Sequence, residues 1–539
     1  MRSMTRQYAV ATITIVALVL RLWGINHEIY TDENKVVSPS VKLAQGKQVP
    51  LLYPKGSYYP HLYHYVLGLA FLPPAIAGSP YPSIDSSVDI YTYIARLITA
   101  LTGTATVYVV YKIGTKIAGL PTGLMAAAFV TTLPLHVKYS HYAHVDIPLT
   151  LLMAGALWAA LYIRERGLVR WYVLTGVFTG LSGATHYTGF VVGITLPIAH
   201  VAWASLQRLS LKDMILSKKL MVGLIAIPVS FFIASPFTII KGKEAYDIYR
   251  QLSLRGAAGD LGYTRPDLLW PLYTQSPDWG LPFTVSGLVW EFNPLMVALA
   301  GIGLILAAYK RNWLVVGLLG GTAITMYLAI IGRLPLYAIK RLLPLTPLLT
   351  VLAAYTLGQA AVTFKKYHTL SVTAACLVFG LIVVQNGYQD IGFDTAYAGA
   401  STHSQAIAWA LKNIPHGSTV LQHGPIRLLD WENQNYKTIR LREVYANFNA
   451  ADPEVSHDRA KPLSNWVKGQ DVDYIAMDSR IVDRYFDTTS IKLYPQTTAS
   501  YQTFYNDIRS RGTLVFKVEP RLWHAAGPRV EIYDVQQVQ

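Results

Sequence analysis

His27-Glu28-Ile29-Tyr30-Thr31-Asp32-Glu33-Asn34 follows a mostly apolar run, Tyr8 to Gly24, and carries two adjacent acids, Asp32 and Glu33. The apolar run is long enough to cross most of a bilayer, whose hydrocarbon core takes about 20 residues of helix. Asp32 lies eight residues beyond Gly24, so even an extended chain keeps it within roughly 28 Å of the helix end. Neighbouring carboxylates repel, which raises one pKa toward the range of a useful base. A carboxylate pair tethered at a membrane surface points to chemistry on a lipid-borne substrate. The plain alternative is a solvated loop pair beside Lys35.

Outward from that pair the chain reads as a polytopic membrane protein. Of its 539 residues 52% are hydrophobic and only 14% charged, against about 25% charged in ordinary soluble domains. The net charge of +15 does not imply nucleic acid, because the basic residues fall in short groups between apolar runs. The single cysteine, Cys376, excludes an intrachain disulfide and leaves the redox compartment open. Arg2 and Arg6 precede the first run without a small-residue cleavage site, so we read a retained first helix.

Apolar segments at 8–24, 91–111, 118–135, 147–163, 171–184, 187–203, 220–238, 294–309, 313–331, 342–359 and 369–385 give eleven spans. A further stretch, Leu62 to Ala77, is apolar too, but charge parity argues against its crossing. If it stays outside, Lys112 and Lys116, Arg164, Arg166 and Arg170, Arg208 with Lys212, Lys218 and Lys219, Lys310 and Arg311, and Lys365 and Lys366 all share the side of Arg2 and Arg6. That is the positive-inside pattern. We therefore read 62–77 as an interfacial or re-entrant helix in a long outer loop, 25–90. The predicted fold is about 11 transmembrane helices over 1–390, then an extracytoplasmic α/β domain over 391–539. Within that domain Ser404 to Asn413 reads as helix. Thr419 to His423, Thr438 to Arg442, Tyr474 to Met477, Leu514 to Val518 and Val530 to Val535 read as strands.

Three further groups carry chemistry. Asp146 stands at the outer mouth of the fourth span, where an ionisable residue is either paired or functional. His141 and His144 precede it; with His27, His61 or His64 they offer nitrogens for a possible divalent metal, although no tight ligand signature is present. Arg96, Lys138, Arg333, Lys340 and Arg341 lie at outer ends of spans, where positive charge is disfavoured. A phosphate held at the surface explains them, as do lipid headgroups. Finally the outer loop 239–293 sets Arg255, Gly256, Asp260 and Arg265 beside Trp270, Tyr273 and Trp279, a composition suited to closing over a sugar phosphate or to resting on headgroups.

Together these motifs resemble the GT-C glycosyltransferases of the protein O-mannosyltransferase and aminoarabinose transferase type. The resemblance runs through Asp32-Glu33, Tyr59-Pro60-His61-Leu62-Tyr63, Ala95-Arg96-Leu97, Tyr139 to Asp146, Lys340-Arg341-Leu342-Leu343-Pro344 and Asn413-Ile414-Pro415-His416-Gly417-Ser418. His141 stands where relatives often have arginine, and His61-Leu62-Tyr63 lacks their usual Pro-Pro. The oligosaccharyltransferase catalytic subunit is a poorer match, since its Trp-Trp-Asp signature is missing. The resemblance implies inverting transfer of a sugar, hexose or pentose, from a polyprenyl-phosphate donor to an acceptor hydroxyl on protein, lipid or glycan. The site then faces outward from the cytoplasmic membrane in the cell envelope. It makes Asp32 the general base, with Arg96 and Lys340-Arg341 as phosphate or supporting contacts. A membrane transporter is the rival from another class, as is a receptor or scaffold. Acids at the outer mouth and the lack of a visible repeat count against a transporter, whose charges gather near the midplane.

Overall fold

The computed structural model describes residues 2–26, 31–47, 59–81, 89–247, 249–250, 292–331, 339–363, 368–423, 436–441, 471–521 and 523–538. His27, Arg265, Arg333 and the centre of the outer loop 239–293 lie outside the described residues.

Among its described residues the membrane part is predominantly helical. It comprises α1 (Arg2–Leu22), α2 (Asn34–Ala44), α3 (Leu62–Ala70), α4 (Leu72–Ile76), α5 (Ile90–Ala118), α6 (Leu120–Thr131), α7 (Pro134–Ser140), α8 (Asp146–Arg166), α9 (Val169–Thr185), α10 (Thr195–Leu206), α11 (Lys218–Ala234), α12 (Pro294–Tyr309), α13 (Thr346–Thr363) and α14 (His368–Ala398). A 3-10 segment, Tyr187–Ile194, leads into α10, and the stretch from Trp313 to Ile331 is helical with two π-helical parts. Each of the eleven expected apolar segments overlaps one or more of these helical stretches. Seven described helices are long and apolar enough to cross a membrane, or eight if α6 and α7, bent by 57°, form one broken span. Pro134 opens α7 at that bend; a proline at the first helical position supplies no amide for the preceding turn. The doubtful stretch 62–77 breaks at Phe71 into helices of 9 and 5 residues, each too short to span.

Small residues set the helix spacing, as expected where lipid gives apolar faces no separate drive to associate. On α9, Gly176 and Gly180 are four apart; a Cβ at Gly176 would stand 2.2 Å from the Gly223 carbonyl of α11. Buried charge then pins the first helix. Arg21, with no exposed surface, donates to the carbonyls of Ala17 at 2.9 Å and Val130 at 3.0 Å, and faces His136 Nδ1 at 3.0 Å. Just beyond, Gly24 has φ of +77°, and a Cβ there would meet the Asp394 carbonyl at 2.9 Å. Gly24→Ala should destabilise the chain by about 1–3 kcal/mol, read as a lower midpoint of thermal unfolding in detergent.

The outer domain has three layers. Its sheet runs in the order β2-β1-β3-β5-β4, built from β1 (Thr419–His423), β2 (Lys437–Leu441), β3 (Tyr474–Asp478), β4 (Thr513–Val518) and β5 (Val530–Asp534). β1 pairs in parallel with β2 and β3, whereas β5 is antiparallel to both β3 and β4. One face packs on α15 (Thr402–Asn413), where Trp409 stacks on Phe516 with centroids 5.0 Å apart. The other packs on α16 (Pro495–Arg511) through Tyr501, Phe504, Tyr505 and Ile508. The expected boundary at 390/391 falls inside α14, which continues unbroken to Ala398; Ser401 then caps α15 by accepting the Ser404 amide.

Candidate functional site

The acids of the first loop part company. The turn Thr31–Glu33 stands at the head of α2 and sends the two side chains to different partners. Glu33 is 1% exposed and Arg96 fully buried. The guanidinium holds both carboxylate oxygens, Nε to Oε1 and Nη2 to Oε2, each at 2.7 Å. Arg96 Nη1 donates to the Ile25 carbonyl at 2.8 Å, and Oε1 also accepts the Ala143 amide at 2.8 Å. This pair therefore ties the first loop to α5 and to the turn before α8. Of the two expectations for Arg96, a donor-phosphate contact or a supporting one, this geometry favours the second, because its fork holds Glu33. Glu33 in turn has both carboxylate oxygens bonded to Arg96, and Oε1 also to the Ala143 amide.

Asp32 looks the other way. Its Oδ2 accepts Lys340 Nζ and its Oδ1 accepts Lys35 Nζ, both at 2.6 Å, with 19% of its side chain exposed. Burial alone would raise its pKa, but the ammonium groups of Lys340 and Lys35 outweigh burial and hold the carboxyl well below the usual carboxylate range. The predicted upward shift from carboxylate repulsion is thus overturned, because Glu33 is neutralised elsewhere and lysines surround Asp32.

A chain of polar contacts extends from this pair. Lys340 Nζ lies 3.3 Å from His144 Nε2, which also meets the Tyr59 hydroxyl at 3.0 Å. His144 Nδ1 approaches Asp146 Oδ2 to 2.6 Å. An ammonium can only donate, so Nε2 is the accepting nitrogen and the ring proton sits on Nδ1, facing Asp146. Asp146 opens α8, where the positive end of the helix dipole favours a carboxylate. Burial first, then Asp32 and Asp146, push the Tyr59 phenol up; Lys340 acts in the opposite sense without prevailing. Arg341 adds its charge to the same neighbourhood, acting on Tyr59 and on His186. Four segments distant in sequence thus converge on one cluster: Asp32, Tyr59, His144 with Asp146, and Lys340 with Arg341.

The remaining predicted residues lie elsewhere. Lys138 holds its ammonium 5.7 Å from the Phe393 ring and 6.0 Å from that of Tyr139. His61 Nδ1 faces Ser235 Oγ at 3.2 Å, and His64 Nε2 faces the Lys35 carbonyl at 3.3 Å. Burial pushes His61 down to about 3 and His64 to about 4. His141 Nε2 lies 2.8 Å from the Trp23 carbonyl and 3.4 Å from Asp394. These histidines are thus spread over separate contacts. Among the described residues no group of three His, Cys, Asp or Glu side chains is placed to hold a metal ion.

Sequence reasoning missed His186, which follows the last residue of α9 and sets its ring 5.5 Å from that of Tyr59 at a tilt of 47°. The available signal was a polar pair, Thr185-His186, wedged between the apolar runs 171–184 and 187–203. It also missed Asp390 and Asp394, both 1% exposed or less. Their spacing of four at the end of the last span marks one helix face.

Residues 92–232 match the family model of dolichyl-phosphate-mannose-protein mannosyltransferases. No curated protein sequence matches the chain. Among solved structures it superposes on ArnT from Cupriavidus metallidurans in the apo state with a TM-score of 0.53 at 13% identity, covering 100% of this chain and 99% of that one. ArnT bound to undecaprenyl phosphate gives 0.52 at 14% identity, with 97% of each chain covered. The Archaeoglobus fulgidus oligosaccharyltransferase tethered to an acceptor peptide gives 0.51 at 13% identity, over 97% of this chain and 74% of that one. At these identities the likeness is one of fold. In motif order, in fold and in the family signature of residues 92–232, the chain resembles the GT-C membrane glycosyltransferases of the protein O-mannosyltransferase and aminoarabinose transferase type.

Proposed function

We propose that the chain is an inverting glycosyltransferase that takes a sugar from a polyprenyl-phosphate donor and places it on an acceptor hydroxyl at the outer face of the cytoplasmic membrane. The observation that carries this reading is the ion pair of Asp32 with Lys340, partly open to solvent and flanked by Arg341. It offers a base and two phosphate-binding cations within one cluster, beside a membrane surface.

Asp32 accepts the proton of the acceptor hydroxyl as that oxygen bonds to the anomeric carbon. The bond from that carbon to the phosphate oxygen breaks, its electron pair leaves with the phosphate, and the anomeric configuration inverts. The departing phosphate needs charge stabilisation more than it needs a proton, which Lys340 and Arg341 supply. A phosphate that draws Lys340 away from Asp32 also frees the carboxylate to act as a base, so donor binding and base activation are linked. Cells lacking this protein should accumulate one polyprenyl-phosphate sugar in their lipid extracts. Unchanged lipids would overturn the reading, and solute flux through sealed vesicles would install the transporter instead.

The depressed pKa fixes a pH signature. The profile of kcat/KM reports the free enzyme, so its acid limb should lie below about pH 4, the ordinary Asp value. Lys340→Met removes the strongest of the lowering charges on Asp32 and should move that limb upward toward neutrality. Its height falls as well, but the shift in position is the separate readout. The linkage has the same sign. With its folded value depressed, Asp32 adds stability above its unfolded pKa, and that contribution fades as pH falls through the folded value.

A further inference from the structure

We propose that His186 donates a hydrogen bond from its Nε2–H to a non-bridging phosphate oxygen of the lipid-linked donor. This rests on the transferase reading above and assigns a positioning role within it.

The argument begins with the backbone. His186 leaves α9 in an extended conformation, φ −153° and ψ 134°, which turns the ring back over the following residues. There Nδ1 accepts the Thr188 amide at 3.2 Å and contacts Thr188 Oγ1 at 2.8 Å. A backbone amide only donates, so Nδ1 carries no proton and the ring hydrogen is fixed on Nε2. Among the described residues that Nε2–H meets no hydrogen-bond partner, although the ring sits beside Tyr59 and within the electrostatic reach of Asp146, Arg341, His144 and Lys340. Burial is the main cause that pushes the ring down to about 4, against the pull of Asp146, so at neutral pH it is an uncharged donor of fixed direction.

The flanking charges select the ligand. Lys340 and Arg341 draw an anion into the cluster, and a neutral, locked N–H adds direction without a further charge to desolvate. Thr188 acts through the histidine by setting its tautomer.

The test uses the full chain in lipid nanodiscs and measures binding of sugar-free polyprenyl phosphate. His186→Ala should weaken binding by about tenfold or more, the factor for one hydrogen bond to a charged group. His186→Gln, whose amide nitrogen reaches the Nε2 position, should restore most of it. If the alanine variant fails to fold, His186→Asn, whose amide reaches only the Nδ1 position, should show the same weakening. Unchanged affinity in a folded His186→Ala protein overturns the proposal. So does a loss confined to the sugar-bearing donor, which would move the contact to a sugar hydroxyl. Wild-type protein that binds polyprenyl phosphate yet transfers no sugar would sink the transferase reading and leave this contact standing.

Discussion

Asp32→Asn should lower turnover by about 10²–10⁴-fold, the usual contribution of a positioned general base, while the protein remains folded. The amide keeps the size of the side chain and can still accept a hydrogen bond from Lys340, but it cannot take a proton. Asp32 is partly exposed and its lysine contacts reach solvent, so little of the stability resides there. Transfer of radiolabel from the polyprenyl-phosphate sugar that accumulates in the deletion strain is the measurement. Turnover at the wild-type rate would remove Asp32 from the base role.

Its neighbour should behave in the opposite way. Arg96→Ala leaves Glu33 buried with the Ala143 amide but without its guanidinium. Breaking one side of a buried ion pair costs about 3–5 kcal/mol, because the stranded charge has lost its partner. The variant should therefore unfold at much lower temperature or fail to accumulate in the membrane. Glu33→Leu combined with Arg96→Leu should recover part of the loss, since replacing both charges leaves neither stranded. A stable Arg96→Ala protein with reduced affinity for polyprenyl phosphate would return Arg96 to the phosphate role. With both outcomes, adjacent residues of one loop would divide the work, Asp32 carrying turnover and Glu33 attachment of the loop.

That division shows where sequence reading succeeds and where it stops. The membrane segments were legible because lipid demands long apolar runs, and loop charges then orient them. The outer strands were legible because alternation and turn residues are local signals; the predicted Thr419–His423 coincides with β1. The mixed strand order was not, since pairing of β3 with β5 is settled by contacts far along the chain. In the site, Asp32, Asp146, Lys340 and Arg341 stood out as charges at span mouths. Yet the bond between Glu33 and Arg96 joins residues 63 apart, and that between Asp32 and Lys340 joins residues 308 apart. No local pattern says which acid takes which cation. His186 escaped notice because a neutral side chain leaves no mark in a charge count, although its burial and fixed tautomer make it a directed donor.

One consequence lies in α14. At 31 residues it rises roughly 46 Å as a single rod, with its foot in the bilayer and its head under the outer domain. The Trp523 amide is fastened to the Gly392 carbonyl at 3.1 Å, and Tyr397 bonds the Tyr142 hydroxyl. Near that crown, Gly24 rests against Asp394 and Ala398. The rod is thus tied to Gly24, eight residues before Asp32, and to Tyr142, two residues before His144, so a tilt of the cap would be passed to both turns. On the transferase reading proposed above, any partner that grips the cap would be felt mechanically beside Asp32.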